Sequence, residues 1–138
     1  MKARFLVLGI VLVCVLAIVG QIARAAPTAR TAVLGCNGHA LVRPAGFVVT
    51  CADANVAWRA VRWSHWNATG ATGRGQIAEN DCVPYCAAGH FHAYPATITL
   101  SRPVATHRYG RLFSRATFLY LEKGKRKTQT WQLGTGRA

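Results

Sequence analysis

Acidic side chains are scarce. The 138-residue chain carries 17 Lys and Arg against four Asp and Glu, a formal net charge of +13. Four carboxylates (Asp53, Glu79, Asp81 and Glu122) leave little material for the paired acids of glycoside hydrolysis. Asp53-x-Asn55 and Asn80-Asp81 supply oxygens but form no EF-hand loop, and Asx turns account for both. Catalytic signatures are missing as well: there is no G-x-S-x-G elbow, no H-E-x-x-H pair and no phosphate loop. A Ser-His-Asp set is defined by geometry and not by spacing, and the spacing here supports none. A hydrolase would need a deep pocket holding Asp53 or Asp81 within hydrogen-bond reach of a histidine. The chain is therefore read as a non-enzyme that uses no cofactor and no metal.

Long apolar runs are missing too, except at the start. Lys2 and Arg4 precede the run from Phe5 to Val19, and Ala23-Arg24-Ala25 follows it. A positive n-region, an apolar h-region and an A-x-A site make residues 1–25 a signal peptide. The competing reading is an uncleaved anchor, since Phe5 to Ile22 is 18 residues, at the lower edge of the roughly 20 that span a bilayer. Cys14 follows Val13 rather than a small residue, so it is signal filler and not a lipidation site. Cleavage after Ala25 leaves 14 basic and four acidic residues, a net charge of +10. Residues 26–34 show no periodicity and read as a flexible leader, 35–133 as one domain, and 134–138 as a loose tail.

Cysteines are few but even in number after the signal: Cys36, Cys51, Cys82 and Cys86. In an exported chain that implies two disulfides with three connectivities. Gly35 to Cys51 reads as a hairpin around Arg43-Pro44-Ala45-Gly46. If Leu41 faces Gly46, then Cys36 faces Cys51 within disulfide range. Cys82 and Cys86 then close a tight ring containing Pro84, with Gly89 releasing the chain. A redox role does not fit, because the redox motif has two intervening residues and this one has three.

The rest of the chain alternates. Val61, Trp63 and His65 share one face of a strand, with Trp66 on the other. His92, Tyr94, Ala96, Ile98 and Leu100 oppose Thr97, Thr99 and Ser101. Pro95 marks an edge or bulge and Arg102-Pro103 the strand's end. From Leu112 to Leu121 both faces turn apolar, as in a strand covered on both sides at its far end. Glu122-Lys123-Gly124-Lys125 turns the chain into a last strand carrying Thr128, Thr130 and Gln132 on one face. The expected fold is all-β: a small antiparallel β-sandwich, or alternatively a small β-barrel, with two disulfides.

Three surface features bear on function. Arg102, Arg108, Arg111, Arg115, Lys123, Lys125, Arg126 and Lys127 form a basic tract interrupted by a single acid, Glu122. Such a tract suits polyanions such as anionic envelope polymers or lipid surfaces; nucleic acid ranks below these for an exported chain. Trp58, Trp63 and Trp66 interleave with Arg59 and Arg62, with Trp66 and Tyr85 as the aromatic contacts. His90-x-His92 shares a strand face, but spacing fixes no third metal ligand.

Thr50-Cys51-Ala52-Asp53-Ala54-Asn55, Trp63-x-x-Trp66, Asn80-Asp81-Cys82-x-Pro84-x-Cys86-Ala87-x-Gly89 and Tyr94-Pro95-Ala96-Thr97-x-Thr99-Leu100-Ser101 resemble an uncharacterised family of small secreted actinobacterial proteins. The resemblance spans roughly Cys36 to Leu133. It implies export, two disulfides and a β fold, and brings no activity and no site residues. The expectation is a secreted or envelope-associated monomer that binds an anionic envelope polymer or lipid. The alternatives are an effector or inhibitor that binds a protein through the Cys82–Cys86 loop, and a membrane-tethered form.

Overall fold

The computed structural model describes residues 30–136; the segment 1–25 expected to be a signal peptide or anchor, and the last two residues of the expected tail, lie outside them. The elements in chain order are β1 (Val33–Leu34), β2 (Ala40–Leu41), β3 (Phe47–Val48), β4 (Val56–Trp66), β5 (Ala71–Asn80), a 3-10 turn (Cys86–Ala88), β6 (Phe91–Thr106), β7 (Gly110–Glu122) and β8 (Lys125–Gln132). β3 to β8 form one six-stranded antiparallel sheet in sequence order, curled as a half-barrel, and β1 pairs with β2 beside it. The chain is thus all-β with two disulfides, Cys36–Cys51 and Cys82–Cys86.

Period-two alternation explains the curl's inner face. Ile77, Ala96, Ile98, Leu100, Ala116, Phe118 and Tyr120 are all buried there, while their sequence neighbours, the buried Ala78 apart, are more exposed. Trp58 is fully buried, stacked on Phe47 at 4.4 Å and edge-on to Trp63 at 5.9 Å. Its indole N–H donates to the Pro44 carbonyl, as does that of Trp63.

β4 departs from simple alternation. Its pairing with β5 shifts between Arg59 and Arg62 and again between Trp63 and His65. At each shift two successive residues are exposed, Arg59-Ala60 and Ser64-His65, and Ala60 takes φ 51. The extra residues rephase the strand, so Trp58, Val61, Trp63 and Trp66 all turn toward the core. This corrects the sequence expectation that Trp66 opposes Trp63 and that His65 accompanies it. Gly73 and Gly75 make room for the first bulge: a Cβ on Gly75 would lie 2.6 Å from Val61 Cγ2.

Four other expectations change. The Gly35–Cys51 hairpin does not form: Leu41 pairs with Val33, and Phe47 pairs with Trp58, because Phe47 gains a stacking partner there. The disulfide stands nonetheless, with a Cα separation of 5.4 Å. Within the expected leader 26–34, Thr31, Ala32 and Val33 are buried, and residues 26–29 lie outside the described residues. Ala32 bonds the β7 backbone on both sides of Leu112, extending the sheet where β8 stops. β6 does not end at Arg102-Pro103: Arg102 adopts φ 53 and Pro103 still pairs with Phe113. The β5 ladder stops at Leu100, so Pro103's missing donor faces no strand on that side. Finally, the far end of β7 is covered on one face only, leaving Leu119 and Leu121 exposed.

Candidate functional site

The eight cations of the sequence tract do not converge. Arg108 lies in the β6–β7 turn, with Arg102 and Arg111 on the flanking strands; Lys123 lies in the β7–β8 turn, with Lys125, Arg126 and Lys127 just beyond. These turns sit at opposite ends of β7, whose 13 residues span about 40 Å at about 3.3 Å each. Arg115 lies between them, half-buried, with its Nε unpartnered among the described residues. Lys127 is tied to Glu122, which raises the lysine's pKa and lowers the carboxyl's.

The sheet instead gathers two of these cations, Arg115 and Arg126, with Arg59, Arg62 and Arg74 from other strands on its outer, convex face. Thr72, Thr99, Thr117 and Thr130 are direct partners across β5, β6, β7 and β8. The next row is Arg62, Arg74, Thr97, Leu119 and Thr128. Arg59, paired with Gln76, and Arg126, paired with Leu121, flank this grid, and Arg115 closes its other side opposite Ser101 and Gln132. Four strands at about 4.8 Å spacing make the threonine row about 14 Å long. Thr117 and Thr130 hydroxyls are 3.2 Å apart. Aliphatic and β-branched side chains suit a pleated sheet, but stability does not call for arginines at this density.

Among the described residues no carboxylate shares this face. Glu79 and Glu122 turn to the concave side, where Glu79 accepts a hydrogen bond from Tyr120 at 2.8 Å and Glu122 a longer one from Tyr94 at 3.4 Å. Burial, then the Glu79 contact, pushes the Tyr120 hydroxyl's pKa up strongly. Asp53 caps the turn at Asn55. Asp81 is engaged in the Cys82–Cys86 loop. Among the described residues no arginine is ion-paired; the two ion pairs are His92–Asp81 and Lys127–Glu122. The face is therefore positively charged without internal compensation.

The remaining predicted contacts lie elsewhere. Trp66 is half-buried, edge-on to Trp63 at 4.8 Å and to Phe113 at 5.5 Å, with its N–H donating to the Thr31 carbonyl at 2.8 Å. Tyr85 is 63% exposed in the Cys82–Cys86 loop, far from the basic turns in sequence and beside Val83, which is 64% exposed. That loop is held from behind. Asp81 accepts from the Val83 and His90 amides and from His92 at 3.0 Å, and the His90 amide heads the causes that hold its carboxyl far below the ordinary range. Asn80 accepts from Cys82 N–H and donates to Asn55 and to the Cys86 carbonyl. The Asp81–His92 pair lies at the surface, with the His92 side chain 51% exposed and the carboxylate already occupied by amides. No group of three His, Cys, Asp or Glu able to hold a metal occurs among the described residues.

The grid was missed in the sequence because it joins residues from five strands. The Thr97-x-Thr99 and Thr128-x-Thr130 alternations are visible in the chain, but their alignment depends on register. No family model, curated protein or solved structure matches the chain.

Proposed function

We propose that this chain is an exported domain that binds an anionic polymer of the cell envelope on its convex sheet face. The observation that carries the reading is the grid of Arg59, Arg62, Arg74, Arg115 and Arg126 around a threonine row, with no carboxylate on the same face among the described residues. Guanidinium groups bind carboxylate and phosphate in bidentate fashion, and the hydroxyls add neutral donors and acceptors. Two disulfides fit an oxidising compartment. No helix among the described residues is long and apolar enough to cross a membrane.

The test is retention on an immobilised anionic polymer across a salt gradient, because exposed charge contacts weaken as salt screens them. Replacing Arg62, Arg74 and Arg126 by Gln should move elution to markedly lower salt. Replacing Lys123, Lys125 and Arg108, which lie at the turns, should move it less. Equal shifts in both variants would reduce the effect to net charge and sink the reading.

A second reading rests on the Cys82–Cys86 loop. Val83, Tyr85 and Phe91 are exposed there, on a loop fixed by Asn80 and Asp81. An apolar, rigid surface of this kind suits a protein partner. Binding that tolerates salt and is lost in Val83→Ser with Tyr85→Ser would select it over the polymer.

A further inference from the structure

Within the convex face lies one depression with a character of its own. It has a volume of about 360 Å³ and is bordered by Arg74, Pro95, Thr97, Leu119, Leu121 and Arg126. Leu119 and Leu121 are 41% and 60% exposed, on the face of β7 that carries the threonine row. Register places them between the two guanidiniums: Arg74 is opposite Thr97, Thr97 opposite Leu119, and Leu121 opposite Arg126. The depression is therefore an aliphatic floor with a cation at each end and hydroxyls along its side.

From this we infer that the groove seats a sugar ring of an acidic, carboxylate-bearing polysaccharide. The inference rests on reading the convex face as the anion-binding surface. A pyranose has C–H faces that cover aliphatic side chains and a rim of hydroxyls that needs hydrogen-bond partners. Leu119, Leu121 and Pro95 match the faces. Thr97 and the neighbouring Thr99 and Thr128 match the rim. Arg74 and Arg126 take carboxylates bidentately, a geometry that lysine does not offer. Other anions use less of what is present. A polyphosphate has no apolar part to cover the leucines. Single-stranded nucleic acid stacks its bases on exposed rings, and the one ring at this groove, Tyr120, is buried. A lipid surface would cover the leucines but makes less use of the hydroxyls of Thr97 and Thr128, which flank Leu119 on its two neighbouring strands.

The test uses the exported chain with four probes at physiological salt: polygalacturonate, polyphosphate, phosphatidylglycerol vesicles and neutral dextran. Polygalacturonate should bind about tenfold tighter than polyphosphate per unit charge. Leu119→Ser with Leu121→Ser should abolish that preference and leave polyphosphate binding in place. Arg74→Gln with Arg126→Gln should weaken both. All four positions are at the surface, and unchanged unfolding midpoints will show that the variants remain folded. If polyphosphate binds as well as polygalacturonate and the leucine variant changes neither, the sugar inference falls and the anion-binding face stands. If the vesicles bind best and need the leucines, the ligand is a lipid and the inference is equally overturned. If the arginine variant changes no anion's binding, the reading of the face itself fails.

Discussion

Trp58 links the residue scale to stability. Its ring is fully buried between Phe47, Trp63 and Phe118, and its N–H is satisfied by Pro44. Trp58→Ala removes a large, fully buried side chain and should cost about 3–5 kcal/mol in denaturant unfolding. Asp81 gives a pH prediction. Amide donors and His92 stabilise its charged form, so its folded pKa lies below the ordinary value of 3.8. A lowered carboxyl contributes stability that is complete above the unfolded pKa and is lost as pH falls through the folded one. The His90 and Val83 amides should therefore stay protected down to about pH 4 and loosen only in stronger acid, as followed by amide exchange. Asp81→Asn should loosen them at every pH. Protection lost well above that range would contradict the assignment.

At the scale of elements, the bulges of β4 decide the face that each tryptophan presents. They depend on β5 lacking side chains at Gly73 and Gly75. In Gly75→Ala the new methyl would lie 2.6 Å from Val61 Cγ2 and 2.7 Å from the Arg59 carbonyl. We expect about 1–3 kcal/mol of destabilisation and a shifted Trp66 fluorescence, since the bulge and the tryptophan move together. The β7–β8 turn was readable from Glu122-Lys123-Gly124-Lys125. Its central residues Lys123 and Gly124 both have positive φ, 48 and 76, as a type I′ hairpin turn requires. The Gly35–Cys51 segment was not readable in the same way. Its short apolar stretches pair equally well with each other or with a neighbour, and the neighbour supplied Trp58.

For the whole molecule, Cys36–Cys51 adds a covalent tie between the small β1–β2 sheet and the six-stranded sheet, beside the Ala32 bonds to β7. Its sequence separation is 15. Replacing both cysteines by Ala should cost about 3 kcal/mol through the released chain entropy. The Cys82–Cys86 bond, with a separation of 4, should matter less to global stability and more to the loop's shape. A larger loss of global stability on removing the second pair than the first would reverse this ranking.

The sequence by itself determined what is local or additive. Alternation along each strand names the two faces, four cysteines beyond residue 25 name two bridges, and scarcity of acid fixes the sign of the charge. It also placed Thr97, Thr99, Thr128 and Thr130 on polar strand faces. Tertiary structure alone decided which of these residues meet. Most of the linear basic tract separates toward the two ends of β7, while its Arg126 and the distant Arg74 come to border one depression at Leu119, with Arg62 paired to Arg74 beyond. The reason is that alternation assigns a side chain to a face, but register assigns its neighbours. Register is set by bulges, turn lengths and glycine gaps, and each of these acts on a strand other than the one whose residues it positions.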